Sequence, residues 1–167
     1  MTILRHAISI LLLPVTVVVV IPFLLLRTGD APGGWGGGAG LDLVSRVAGG
    51  VLFGVGFALF AWCLLLFARV GQGTLAPWDP TRRLVAVGPY RHVRNPMISG
   101  VATMLLGEVL FWRSGRLALW ACAFVLINHT YFLLSEEPGL QRRFGDSYRA
   151  YRAHVPRWIP RLRPWRG

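Results

Sequence analysis

Four apolar blocks dominate the 167-residue chain. Residues 8–26 and 47–67 carry no charge, 117–135 is broken only by Asn128 and His129, and 97–112 holds one acid, Glu108. About 20 apolar residues cross a hydrocarbon core of ~30 Å, so the three longer blocks qualify as transmembrane helices by length. Only residues 113–116 separate the short third block from the fourth, which predicts a tight helical hairpin. The pattern therefore predicts an all-α integral membrane protein with about four transmembrane helices, a single membrane domain over residues 1–167. The first block exceeds a signal-peptide core and no small-x-small site follows Leu26, so it is expected to remain as a span.

Beyond Glu137 the periodicity changes. Leu140, Phe144, Tyr148, Tyr151 and Val155 recur at helical spacing, with Gly145-Asp146 between the second and third. This predicts two short amphipathic tail helices on the cytoplasmic membrane surface, aromatic side inward, with Arg142, Arg143, Arg149 and Arg152 outward. Pro156 and Pro160 end them.

Charge then orients the chain. The net charge is +11, and all 18 basic residues are Arg. Fourteen of them fall at the N-terminus, between the second and third blocks, or in the tail. Four, namely Arg27, Arg46, Arg113 and Arg116, fall on the other side. The positive-inside rule places both termini in the cytoplasm, as expected of a multi-pass bacterial inner-membrane protein. The same distribution makes membrane lipid, rather than nucleic acid, the expected partner of the positive charge.

Several features read as packing. Gly50-x-x-x-Gly54 in the second block, and Gly100, Thr103 and Gly107 in the third, are small residues that let helices approach closely. Cys63 and Cys122 lie inside apolar blocks with no metal-ligand spacing, so no metal is expected. The Gly-rich stretch 28–41 lies between two spans and lacks the strand context of a dinucleotide loop, so it reads as a linker. The segment 71–95 contains Pro77, Pro80, Gly88 and Pro89 and cannot be one long helix.

Two polar clusters remain. One runs from Gly88 to Met97 before the third block, and the other from Ser135 to Gly145 after the fourth. The hairpin brings them to the same membrane face. Adjacent carboxylates, guanidiniums, a tyrosine and an aromatic tail suit a ligand carrying a diol or ammonium, a carboxylate and a flat base. Glu108, His129 and Glu136 are the candidate bases, the first because an intramembrane acid is a functional candidate by default.

The order Leu84-Val-x-x-Gly-x-Tyr-x-x-x-Arg-Asn-Pro, a hairpin, Glu-Glu-x-x-Leu-x-x-x-Phe-Gly-x-x-Tyr-x-x-Tyr151 and Val-Pro-x-x-x-Pro160 resembles the membrane methyltransferase family. That family includes isoprenylcysteine carboxyl methyltransferases and phospholipid N-methyltransferases. The resemblance covers roughly residues 73–160. It implies an S-adenosylmethionine-dependent enzyme acting on a lipophilic or amphiphilic acceptor, the cofactor lying between elements 71–96 and 136–160. Carried over by position, Leu84, Val85, Gly88, Tyr90, Asn95, Pro96, Ile98 and Glu136 would bind the cofactor, with Glu137, Phe144 and Tyr148 beside them. Asn95 and Ile98 stand where many members have His and Tyr. Phe132 stands where carboxyl-methylating members carry an Arg, which argues against a prenylcysteine-type carboxylate as substrate. The alternative functions are a non-catalytic member of the same fold, binding lipid or assisting assembly, and a small transporter subunit.

Overall fold

The computed structural model describes residues 11–28, 38–71 and 84–166. Arg5, most of the Gly-rich linker and the proline-bearing segment 72–83 lie outside the described residues. All regular structure within them is helical. Helix α1 combines a π-register stretch Leu11–Val20, which contains Pro14, with an α-helical turn Ile21–Arg27. Pro14 has no N–H to donate, one local cause for departure from α register. Helix α2 spans Ala39–Leu66 and continues through a π turn, Phe67–Gly71. Helix α3 is Pro96–Trp112, α4 is Gly115–Tyr131 extended by a π turn Phe132–Glu136, and α5 is Glu137–His154. Two helical stretches, Ala39–Val70 and Gly115–His154, are long and apolar enough to cross a membrane, whereas Pro14–Arg27 and Pro96–Trp112 are shorter apolar helices.

The expected α3–α4 hairpin is present. Arg113 adopts the left-handed conformation at φ 52° and Ser114 caps α4 by accepting from the Leu117 amide at 3.3 Å. Reversal within two residues sends α4 back along α3, where Val101, Met104, Leu105, Leu117, Ala121 and Phe124 share one core. Helix α1 joins that core through Val18, and Trp120 Nε1 donates to the Val17 carbonyl at 3.0 Å.

The most extensive contact is between α2 and α3, and it corrects one expectation. Gly50 and Gly54 face open space, whereas Gly49 and Gly56 meet Gly107 and Gly100. A Cβ added to Gly49 would lie 2.6 Å from the Gly107 carbonyl oxygen, and one on Gly56 would lie 2.6 Å from that of Gly100. Seven-residue spacing on both antiparallel helices superposes the two close approaches. Gly100 and Gly107 are therefore used as expected, but their partners on α2 are Gly49 and Gly56, seven residues apart, and not the GxxxG pair. Of the two cysteines, Cys63 is packed in the core as expected, while Cys122 is exposed on α4.

The tail also differs in detail. The first tail helix does not begin separately; it continues from α4 without interruption, and the π turn Phe132–Glu136 lies just before Pro138, where a proline removes a regular α-helical hydrogen bond. The expected break at Gly145 is real, with φ 51° and ψ −125°, a conformation open to glycine. Leu84, Ala86, Leu140 and Phe144 pack round buried Tyr148, Tyr151 and Val155, so the aromatic stripe faces inward. Helix α2 starts at Ala39, inside the stretch expected to be linker.

Candidate functional site

Antiparallel packing of α3 and α4 puts Asn95, just before α3, near Glu136, at the end of α4. Leu84–Ala86 approach as irregular chain, and Gly88 at φ 55° opens the short 3-10 turn Gly88–Arg91. A side chain at Gly88 would press on Leu66 Cδ1 at 3.0 Å, so this position serves the turn. Pro96 at the first turn of α3 is buried, where its missing N–H costs nothing.

The C-terminal chain clamps this loop, an element the sequence did not disclose. After Val155 it runs back along residues 91–94. Arg94 N donates to the Pro156 carbonyl at 2.9 Å, Arg161 N to that of His92 at 3.0 Å, and Trp165 N to that of Arg91 at 3.0 Å. His92 Nδ1 donates to the Arg161 carbonyl at 2.7 Å, since a carbonyl can only accept. The Tyr151 hydroxyl donates to the Tyr90 carbonyl at 2.7 Å. Trp165 closes over Tyr151, with ring centres 5.4 Å apart.

One buried carboxylate joins loop, helix and strap. Glu137 Oε1 accepts from Arg94 Nη1 at 2.9 Å and Arg157 Nε at 2.7 Å, and Oε2 lies 3.5 Å from Arg152 Nε. Burial alone would raise its pKa, but the Arg157 hydrogen bond and the charges of Arg94, Arg157 and Arg152 hold it below the usual carboxylate value. The neighbouring Glu136 behaves oppositely. It makes no hydrogen bond or ion pair among the described residues, and burial pushes it up to about 7, with Glu137 adding to the rise and Arg143 opposing it. Tyr90 Oη is buried beside the Cys63 thiol with no oxygen or nitrogen partner among the described residues. Burial, followed by its charged and ionisable neighbours, raises the Tyr90 pKa well above the ordinary phenol value.

These groups border a cavity of about 730 Å³, within the ~300–1,000 Å³ of small-molecule sites. Its polar end is lined by Leu84, Val85, Tyr90, Arg94, Asn95, Ser135, Glu136, Glu137, Arg142, Arg143 and Tyr148. Its apolar end reaches between the helices to Pro14, Val17, Phe60, Ile98, Val101, Trp120, Phe124 and Ile127. Asn128, Tyr131 and Phe132 also line it. Of the expected cofactor residues, Leu84, Val85, Tyr90, Asn95, Ile98, Glu136, Glu137 and Tyr148 are brought together there. Gly88, Pro96 and Phe144 stand behind it, as turn, helix start and packing.

Neither Glu108 nor His129 lines the cavity. Glu108 is half-buried on α3, with Oε2 shielded and unpartnered among the described residues. His129 Nδ1 accepts from Trp158 Nε1 at 3.0 Å, with the rings stacked, so it anchors the strap to α4. Sequence reasoning gave no site role to Asn128 or Ser135. For Asn128 the available signal was its place eight residues, two turns, before Glu136 on a continuous helix; Ser135 entered only as the first residue of the second polar cluster.

The fit to an adenosyl-amino-acid ligand rests on these groups. An unpaired half-buried carboxylate and a buried phenol call for donors and acceptors from a ligand, and the adjoining apolar wall suits a flat base. The model of a family described as phospholipid methyltransferase matches residues 44–147 of the chain. An uncharacterised protein of Haemophilus influenzae is 35% identical over 57 residues, which are 34% of this chain and 81% of that protein. No solved structure matches the chain.

Proposed function

The chain belongs to the phospholipid methyltransferase family, and on that premise we propose that it transfers a methyl group from S-adenosylmethionine to a lipid-phase or amphiphilic acceptor. One observation carries the reading: a single cavity runs from the polar end, where both sequence clusters meet, into an apolar space between α1, α3 and α4. A polar donor and a hydrocarbon-bearing acceptor can enter such a cavity from opposite ends.

When bound, S-adenosylmethionine supplies a methyl group on a cationic sulfonium. In this reading Glu136 accepts hydrogen bonds from ligand hydroxyls or an ammonium, and Tyr90 and Asn95 supply polar contacts from the other side. The Arg94–Glu137–Arg157 cluster holds the loop and strap so that these groups stay aligned. Alignment and exclusion of water are what methyl transfer chiefly asks of a protein. Glu108 and His129 lie off the cavity and have no direct part. Four spans with both termini cytoplasmic complete the proposal, the site opening towards the cytoplasm.

The test uses purified full-length protein in detergent and in lipid nanodiscs. Calorimetry should detect S-adenosylmethionine binding, and methyl-labelled S-adenosylmethionine incubated with a total bacterial lipid extract should transfer label to the organic phase. Absence of cofactor binding in both settings would overturn the proposal in favour of a non-catalytic lipid-binding or assembly role.

A further inference from the structure

Asn128 stands where the polar and apolar ends of the cavity meet. It lies one helical turn before Phe132 and two before Glu136, and all three line the cavity. Its Nδ2 donates to the Phe124 carbonyl at 2.8 Å. A backbone carbonyl only accepts, so this bond commits the amide nitrogen and determines which end of the side chain remains. Oδ1 makes no hydrogen bond among the described residues. A serine or threonine would have sufficed for a back-bond to the preceding turn. An asparagine adds a second group, an amide oxygen that reaches further from the backbone than a hydroxyl does, on a side chain that lines the cavity.

The geometry points to Asn128 Oδ1 as the group that orients the methyl acceptor, by accepting a hydrogen bond from an N–H or O–H on the atom to be methylated. The acceptor's hydrocarbon would then extend past Phe124 towards Trp120 and Val17, which line the apolar end. This rests on the methyltransferase reading and narrows it. A carboxylate, lacking a donor and carrying negative charge, would be repelled by Oδ1. A quaternary ammonium has the charge but no donor. Sites built to hydrogen-bond a substrate reject analogues lacking the group far more strongly than apolar pockets reject an extra methylene.

The experiment measures binding rather than turnover. Full-length protein in detergent, saturated with S-adenosylhomocysteine, is titrated with dodecylammonium and with dodecyltrimethylammonium, which share charge and chain but differ in N–H donors. The parent should prefer dodecylammonium by roughly ten-fold, the size expected for one charged hydrogen bond. In Asn128→Leu the preference should fall to parity. In Asn128→Thr, whose shorter hydroxyl makes the back-bond while keeping acceptor lone pairs further from the ligand, it should shrink. S-adenosylhomocysteine affinity should be retained in both, and melting temperature in the threonine variant. Comparing ratios within each protein controls for the bulk of the added methyls, and threonine retains the back-bond that a purely structural role requires. Equal affinities in the parent, or a preference that survives in Asn128→Leu, would overturn the role of Asn128. A parent that binds no S-adenosylhomocysteine would overturn the methyltransferase reading itself.

Discussion

Arg94 reaches across 43 residues of sequence to donate to Glu137 Oε1 at 2.9 Å, with 11% and 6% of the two side chains exposed. Arg157 from the C-terminal strap shares the same oxygen. The pre-hairpin loop, the tail helix and the strap thus converge on one carboxylate, and the arrangement of the site depends on it.

Glu137→Gln should therefore unsettle the fold before it affects chemistry. Removing one partner of a buried ion cluster typically costs about 3–5 kcal/mol, because the remaining charges stay buried. The lowered pKa of Glu137 also sets a sign. Its contribution to stability is present above the unfolded value of 4.5 and is lost as pH falls through the lower folded value. Thermal melts of parent and Glu137→Gln across acidic pH should converge as pH falls. A variant melting with the parent at neutral pH would refute this role.

Glu136 should give the opposite pH dependence. With a folded pKa near 7 against 4.5 unfolded, its ionisation opposes folding as pH rises through that window, and the ionised form is released to serve a ligand. S-adenosylmethionine should bind more tightly at pH 8 than at pH 6. Glu136→Gln should flatten that dependence and weaken binding at pH 8 by about ten- to a hundred-fold, the range for charged hydrogen bonds. Tyr90→Ala should weaken the same ligand, while Arg163→Ala, exposed on the strap, should not. Calorimetric titrations at the two pH values check all three, and equal losses in every variant would indicate only a nonspecific charged surface.

The glycine contacts make a positional prediction. Gly49→Ala and Gly56→Ala place a Cβ within 2.7 Å of backbone atoms on α3, which cannot yield without separating the helices. A loss of at least ~1–3 kcal/mol is expected from such overpacking. Gly50→Ala and Gly54→Ala meet nothing within 4 Å and should be neutral or slightly stabilising. Melting temperatures in detergent decide between these outcomes.

Topology is checked by reporter fusions. Fusions after Trp165 and after Ala76 should both report a cytoplasmic location, and one within residues 33–37 the opposite side, following the fourteen-to-four division of arginines. A cytoplasmic signal from the Gly-rich linker would rule out four spans.

Composition and periodicity alone determined a good deal. The apolar blocks, the few polar residues between the third and fourth, and the inward spacing of Leu140, Tyr148, Tyr151 and Val155 made the helices, hairpin and tail legible. These are local patterns, and burial of apolar surface reads them directly. What required the tertiary structure was rotation about each helix axis and the path of the irregular chain. Gly49 and Gly50, or Glu136 and Glu137, are neighbours in sequence but about 100° apart round a helix. That turn decides which glycine meets a backbone and which glutamate meets three arginines. The path of the strap over residues 91–94 is set by backbone hydrogen bonds, which carry no side-chain signature. Its side-chain ties, Arg157 to Glu137 and Trp158 to His129, pair residues 20 and 29 apart that no local pattern joins. Asn128 shows the same division: the sequence supplies a polar side chain in an apolar helix, and only the bond to Phe124 determines which of its atoms is left to face the cavity.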